Sequence, residues 1–185
     1  MLTKWNQLEI DGWRLDVADE LPDEFIAGIR KNLNQFPDKV LLGEVWEDAS
    51  NKISYEMRRE YILGDHLQGV MNYPLRDGAL QLLNEERSPE AIAKSLTSLY
   101  ENYPRDIFYN NLNNIGTHDT ERILTMLGNH VKKLDLAFGF MFVFPGVPCI
   151  YYGDEAGLTG GKDPENRKFF PWNRVNHEIY DHCRK

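Results

Sequence analysis

The sequence predicts an α/β fold in which parallel β-strands alternate with α-helices. Short apolar runs, the candidate strands, alternate along the chain with segments whose apolar residues recur at helical spacing. The short loops between them imply that helices form the crossovers between parallel strands. The candidate strands are apolar on both faces, as strands of a sheet covered on both sides must be. A doubly wound sheet and a (β/α) barrel both satisfy these observations, and periodicity alone does not choose between them.

The candidate strands are short and most of them follow a turn or loop signal. The first follows the turn signal Asp11-Gly12, and the last follows Pro145-Gly146, which breaks the preceding helix. Residues 69–72 carry the least pronounced strand pattern. The predicted strands are residues 13–17, 40–46, 69–72, 113–118 and 147–152.

The predicted helices begin and end at recognisable residues. Pro22 opens the first helix, acidic residues fill its first turn, and Pro37 ends it. Gly64 ends the second helix. Ser88, Pro89 and Glu90 supply the cap, the first-turn proline and the first-turn acid of the fourth. The predicted helices are residues 23–36, 52–63, 74–83, 89–99 and 134–144, and the last is apolar enough to be a buried helix.

Composition limits the classes of function. The chain has 185 residues, 29 acidic and 21 basic, so its net charge is −8, and its 42% of hydrophobic residues can build one sizeable core. An acidic balance argues against nucleic-acid binding, which needs a concentrated basic face. No apolar run approaches the ~20 residues of a membrane span. The first residues form no apolar signal segment, so a cytoplasmic protein without membrane contact is expected. Cys149 and Cys183 follow no metal-ligand spacing.

Acidic residues at the ends of three candidate strands favour the barrel. Alternation along the first strand puts Arg14 and Asp16 on one face, where Arg14 can pair with a carboxylate that would be costly to bury alone. Glu44 ends a run of aliphatic residues, and apolar surroundings favour the protonated form that a general acid requires. Asp119 lies where the fourth strand ends and a helix is expected to begin.

Each of these residues also has a plainer explanation. Arg14 and Asp16 can form a structural ion pair, and either Glu44 or Asp119 can cap a helix. Together, however, the acids lie at the C-terminal ends of three different parallel strands, where barrel enzymes build their active sites. A carboxylate nucleophile, a second carboxyl as acid/base and a third acid nearby are what cleavage of a glycosidic bond requires.

Four sequence segments, in order, resemble the signature regions of the α-amylase family of glycoside hydrolases. They are residues 11–20 (DGWRLDVADE), 41–48 (LLGEVWED), 113–122 (NNIGTHDTER) and 144–158 (FPGVPCIYYGDEAGL). The first two are most similar to the neopullulanase and cyclomaltodextrinase branch. The resemblance implies a partial TIM (β/α) barrel made of parallel strands four to eight with their helices. It makes residues 1–185 a single domain, a fragment without the first three βα units and the C-terminal β domain.

The resemblance also assigns roles to individual residues. It makes Asp16 the nucleophile, Glu44 the general acid/base and Asp119 the third catalytic acid, which grips sugar hydroxyls. Substrate-binding roles fall to four further residues, although packing explains the two aromatic ones equally well: Arg14, His118, Trp46 and Tyr73. Arg167 borders the site without an assigned role, and residues 153–155 are expected to be structural.

The activity implied by the resemblance is retaining hydrolysis of α-glucosidic bonds in maltooligosaccharides, cyclodextrins or starch-like glucans. No redox cofactor and no metal are expected. The alternative is a non-catalytic, truncated half-barrel that self-associates and is inactive when isolated. In either case we expect a homo-oligomer, because the barrel edges exposed by the missing strands recruit partners.

Overall fold

A computed structural model describes residues 2–184, which divide into two compact units. The first unit comprises the described residues up to Pro74 together with Thr97–Leu112, and the second comprises Leu75–Leu96 together with the residues from Asn113 onward. A single domain over residues 1–185 stays a prediction. Within residues 2–184, no helix combines the length and the apolar character needed to cross a membrane.

Strands and helices alternate over most of the chain, as predicted, but none of the helices in the described residues lies between β2 and β5. The strands are β1 Gly12–Leu15, β2 Val40–Gly43, β3 Ile53–Ser54, β4 Met57–Arg58, β5 Gly69–Val70, β6 Leu112–Asn114 and β7 Val147–Cys149. The helices are α1 Leu2–Asn6, α2 Asp23–Leu33, α3 Tyr73–Leu83, α4 Pro89–Asn102, α5 Arg105–Tyr109, α6 Ile123–Met126, α7 Val131–Val143 and α8 His177–Cys183. Short 3₁₀ helices occupy Ala18–Glu20 and Glu165–Arg167.

A parallel sheet in the order β1-β2-β5 forms the centre of the first unit. Gly12 pairs with Val40 and the register continues to Leu15 opposite Gly43, so the two strands end side by side. A parallel bridge then joins Met71 to Leu112. The predicted strands are correct in position but end two to four residues early. In β1 and β2 the chain leaves the ladder just before Asp16 and Glu44.

The predicted helix over residues 52–63 is wrong. This segment forms an antiparallel hairpin of β3 and β4, with Tyr55 and Glu56 in the turn at φ 51° and 63°. Two successive left-handed residues close a two-residue hairpin turn and cannot continue a helix. Ile53 and Met57 are four residues apart, a spacing that also occurs on one face of a helix, but both side chains are exposed.

The second unit has its own apolar core, built on α7. Buried side chains of α7 pack with Leu80, Ile115, Ile123 and Ile179. The prediction that this helix is buried is only partly correct, since Leu136 is 62% exposed and Val143 85% exposed. In the same unit β6 and β7 form a two-stranded sheet. The predicted cap of α4 is confirmed, because the Ser88 hydroxyl accepts a hydrogen bond from the Ala91 N–H at 3.3 Å.

Candidate active site

One guanidinium group holds both of the acids that the sequence places at the ends of β1 and β2. Arg14 lies on β1, and its Nη1 donates to Asp16 Oδ1 at 2.6 Å while its Nη2 lies 3.0 Å from Glu44 Oε2. The parallel register of β1 and β2 explains this arrangement, because Asp16 and Glu44 are the first residues beyond the paired Leu15 and Gly43. Asp16 and Glu44 therefore follow the ends of two neighbouring parallel strands.

The two carboxylates lie in contrasting surroundings. The Asp16 side chain is 71% exposed, whereas the Glu44 side chain is 3% exposed. Glu44 Oε2 also accepts the backbone N–H of Val17 at 2.9 Å, and its Oε1 lies 3.4 Å from the Tyr73 hydroxyl. A ligand can therefore reach Asp16 from solvent, while Glu44 is held in one orientation by fixed donors.

Val17 adopts a backbone conformation that is unusual for its residue type. Its φ of 44° and ψ of 61° lie in the left-handed region, which a β-branched residue rarely occupies. Such conformations cost about 1–3 kcal/mol and persist where the surrounding contacts determine them. Here the conformation aims the Val17 N–H at Glu44, so the strain lies in the segment that positions a candidate catalytic group.

The two aromatic residues predicted to bind substrate lie against each other. The rings of Trp46 and Tyr73 stack with centroids 4.1 Å apart and planes 12° from parallel. Tyr73 is 1% exposed and contacts Glu44 through its hydroxyl, so packing accounts for its ring. Trp46 is 43% exposed and keeps apolar surface available for a sugar ring.

The loop that follows Asp16 is anchored by Arg59, a residue that the sequence analysis did not single out. The buried Arg59 guanidinium donates to the carbonyl oxygens of Asp19, at 2.9 Å, and of Leu21. It also pairs with Asp23 at 2.8 Å. No short-range pattern predicts these bonds, because Arg59 lies on the distant hairpin segment that was expected to be helical.

In the second unit, Asp119 lies between a histidine and an arginine. His118 Nε2 is 3.0 Å from Asp119 Oδ2, and Arg167 Nη2 is 3.5 Å from Asp119 Oδ1. Arg167 also pairs with Asp163 at 2.9 Å. Helix α6 begins only at Ile123, without a side-chain cap, so capping this helix does not explain Asp119. The partly exposed side chains of Asp119 and His118 are thus in contact, and Arg167 makes a contact that the sequence did not assign.

A second arginine–carboxylate pair in this unit is completely buried. Arg122 Nη1 lies 3.0 Å from Asp154 Oδ1, and neither side chain is exposed. The Arg122 guanidinium lies over the rings of Tyr151 and Tyr152, at 4.2 and 4.7 Å. Burial raises the pKa of Asp154 to about 7, although Arg122 acts in the opposite direction. These contacts are those of a structural pair, the role expected for residues 153–155.

Among the described residues, no group of three or more histidine, cysteine, aspartate or glutamate side chains is arranged to hold a metal ion. The candidate site of the first unit consists of a guanidinium, two carboxylates and an exposed indole. Such a set can bind a polyhydroxylated ligand, attack it with one carboxylate and transfer a proton with the other.

Comparisons with known proteins agree with the geometry. Residues 1–182 match the model of the α-amylase catalytic domain. The chain is 41% identical to a cyclomaltodextrinase of Geobacillus thermopakistaniensis, and the match covers 99% of this chain and 30% of that protein. It is 39% identical to a maltogenic α-amylase of Bacillus acidopullulyticus, over 97% of this chain and 30% of that protein. The chain therefore spans about a third of the length of these curated relatives.

A solved structure supports the same relationship. The ligand-free cyclic α-maltosyl-(1→6)-maltose hydrolase of Arthrobacter globiformis superposes with a TM-score of 0.90 at 33% identity. The match covers 98% of this chain and 40% of that one. The likeness confirms the predicted fold class, a partial (β/α) barrel with parallel strands and their helices. By its family match, its relatives and its structural neighbour, this chain belongs to the α-amylase family of glycoside hydrolases.

Proposed function

We propose that this chain carries the catalytic carboxylates of a retaining glycosidase that acts on α-glucosidic bonds. The observation that supports the proposal most directly is the Arg14 guanidinium, which holds Asp16 and Glu44 together at the ends of adjacent parallel strands. The substrates would be maltooligosaccharides, cyclodextrins or starch-like glucans, since the similar proteins are named for hydrolysis of such molecules. The chain spans about a third of those relatives, so the activity proposed is that of the complete catalytic domain.

The contrasting exposure of the two acids assigns their roles. Asp16 is open to solvent and attacks the anomeric carbon, while Arg14 fixes the direction of its carboxylate. Glu44 protonates the leaving oxygen and then activates water or an acceptor sugar. Arg14 and the Val17 N–H both bind Glu44 Oε2, so Oε1 is the oxygen that exchanges the proton.

A trapping experiment tests these roles. A 2-fluoro maltosyl fluoride should label Asp16 covalently, and peptide mass spectrometry should locate the label. Glu44→Gln should hydrolyse maltooligosaccharides poorly while retaining activity on donors with activated leaving groups, which need no proton. Retention also requires the two carboxyl groups to lie ~5–5.5 Å apart in the complete site. A label on any residue other than Asp16, or an inverted product, would refute the proposal.

The competing proposal is a non-catalytic half-barrel that associates with a second copy. Its supporting observation is that, within residues 2–184, β1 pairs with β2 alone, which leaves one strand edge able to recruit another strand. Light scattering and a glucan hydrolysis assay on the purified chain separate the proposals. A dimer without turnover supports the half-barrel, whereas an active monomer excludes it.

A further inference from the structure

The surface segment of residues 162–169 carries a single buried residue, Asn166. Each of the other seven residues is exposed, whereas Asn166 is 0% exposed. Asparagine is mostly found at the surface, and a buried polar side chain needs hydrogen-bond partners to offset the loss of water. The partners of Asn166 therefore indicate why this segment inserts one amide group into the second unit.

The Asn166 amide binds the backbone on both sides of Asp119. Its Nδ2 donates to the carbonyl oxygen of His118 at 2.6 Å and to that of Thr120 at 2.9 Å. A side-chain amide has two N–H donors, and both partners are carbonyl oxygens that can only accept, so the nitrogen must face them. One side chain thus fixes the residue before Asp119 and the residue after it.

The backbone of Asn166 is in turn fixed by a buried arginine. Arg122 Nε donates to the Asn166 carbonyl at 2.7 Å, and Arg122 Nη1 donates to Asp154 Oδ1 at 3.0 Å. The side chains of Arg122 and Asp154 are both fully buried. Asn166 Oδ1 has no hydrogen-bond partner within residues 2–184, so the hydrogen bonds of the amide are those of its nitrogen alone. The amide is therefore connected to a rigid, buried ion pair.

These hydrogen bonds restrict the direction of the Asp119 carboxylate. The residues on either side of Asp119 are fixed by Asn166, and the Asp119 N–H donates to Thr117 Oγ1 at 3.2 Å. The Asp119 side chain then has only its two χ angles left to vary, and its contacts with His118 and Arg167 select among them. A displacement of about 1 Å at a group that binds substrate can cost on the order of 100-fold in rate.

We infer that Asn166 is a positioning residue, whose amide holds the backbone around Asp119 so that the Asp119 carboxylate faces its ligand. The inference rests on the proposed function, because it takes Asp119 to be the third acid, which grips sugar hydroxyls. Asn166 is fully buried, so it acts through Asp119 and does not touch the substrate.

Amide hydrogen exchange of the purified chain, resolved by NMR, tests whether Asn166 holds these residues. Asn166→Ala removes both donors, so exchange at the hydrogen-bonded amides of Asp119 and Thr120 should accelerate about tenfold to 100-fold, and far less in the core of α7. Asn166→Ser keeps one hydroxyl donor and should give a smaller acceleration, which also provides a readout if Asn166→Ala does not fold. The matched control is Tyr152→Phe, because the Tyr152 hydroxyl holds the same segment through the Lys168 carbonyl at 2.8 Å. This control should leave exchange at Asp119 and Thr120 unchanged.

Calorimetric titration with maltoheptaose tests whether the effect reaches the ligand. Glu44→Gln is the background, so that the ligand is not consumed. Asn166→Ala should weaken binding about threefold to tenfold, the usual range for loss of one hydrogen bond. In a background that also carries Asp119→Ala, the same substitution should have no further effect, because no carboxylate remains to be oriented. A residue that only stabilised the fold would weaken binding equally in both backgrounds.

The other outcomes refute either the inference or the proposed function. If exchange accelerates as much in α7 as at Asp119 and Thr120, or does not accelerate, Asn166 does not position Asp119. If Asn166→Ala weakens binding equally with and without the Asp119 carboxylate, or leaves binding unchanged, the inference also fails. The proposed function stands in each of these cases. If maltoheptaose does not bind the background protein while exchange accelerates only at Asp119 and Thr120, the proposed function fails although Asn166 holds these residues.

Discussion

Replacing Arg59 by glutamine should remove the main anchor of the loop that follows Asp16. The Arg59 side chain is 4% exposed, and Asp23, its charged partner, is 20% exposed. The substitution leaves the Asp23 carboxylate without its ion pair and the carbonyl oxygens of Asp19 and Leu21 without their donor. It also removes the contact of the guanidinium with the Tyr61 ring, at 4.6 Å.

The expected loss of stability is large. Removing one partner of a fully buried ion pair costs about 3–5 kcal/mol, because the other charge remains buried without compensation. Asp23 is partly exposed, so we expect the lower end of that range, about 3 kcal/mol. For a chain of this length, that loss lowers the melting temperature by roughly 6–12 °C. Arg59→Lys should lose nearly as much, since an ammonium group cannot donate in the fixed fork that reaches several acceptors at once.

Thermal unfolding and amide hydrogen exchange measure the effect, with Arg58→Gln as the matched control. Arg58 is the preceding residue and its hydrogen bond to Ser50 is exposed, so its loss should change stability by less than about 0.5 kcal/mol. Exchange should accelerate first at the backbone amides of residues 17–21. If Arg59→Gln and Arg58→Gln unfold at the same temperature, Arg59 does not anchor the loop and the reasoning is wrong.

Two further predictions concern pH and backbone strain. Burial raises the pKa of Asp154 from 3.8 to about 7. Protonation of Asp154 therefore stabilises the folded state, fully below pH 3.8, and this stabilisation is lost as the pH rises through 7. Urea unfolding should therefore show a smaller decline in stability between pH 5 and 8 for Asp154→Asn than for the parent, and equal declines would contradict the prediction. Val17→Asn should preserve or raise the melting temperature, because asparagine tolerates the left-handed region. Val40→Asn, at a comparably exposed strand position, should lower the melting temperature. If Val17→Asn lowered the melting temperature more than Val40→Asn does, Val17 would be unstrained.

The parts of the site that the sequence predicted depend on short-range regularities. Alternation along one strand places Arg14 and Asp16 on one face, and the pairing of consecutive parallel strands brings Glu44 beside them. Neither step requires knowledge of distant contacts. The roles suggested for these residues then came from the order of four segments along the chain.

The parts that were missed depend on contacts between residues far apart in sequence. Arg59 binds carbonyl oxygens about 40 residues earlier in the chain, and Arg167 reaches Asp119 across 48 residues. The hairpin of β3 and β4 was predicted as a helix because spacing within it resembled helical spacing, whereas Tyr55 and Glu56 in the left-handed region close a turn there. Periodicity also could not show that Leu136 faces solvent, since α7 is apolar on nearly every side.

The Arg122–Asp154 pair and the contacts of Arg14 differ in whether a ligand can reach the charged groups. Arg122 and Asp154 are both fully buried, and the guanidinium is enclosed by two tyrosine rings, so no ligand can reach either charge. Arg14, in contrast, is 31% exposed and joins a buried carboxylate, Glu44, to an exposed one, Asp16. An exposed carboxylate gains little stability from an ion pair, because water screens the charges. Enclosure in the core therefore limits the Arg122 pair to a structural role. Stability accounts poorly for the contact of Arg14 with Asp16, whereas the role of nucleophile proposed for Asp16 accounts for it directly.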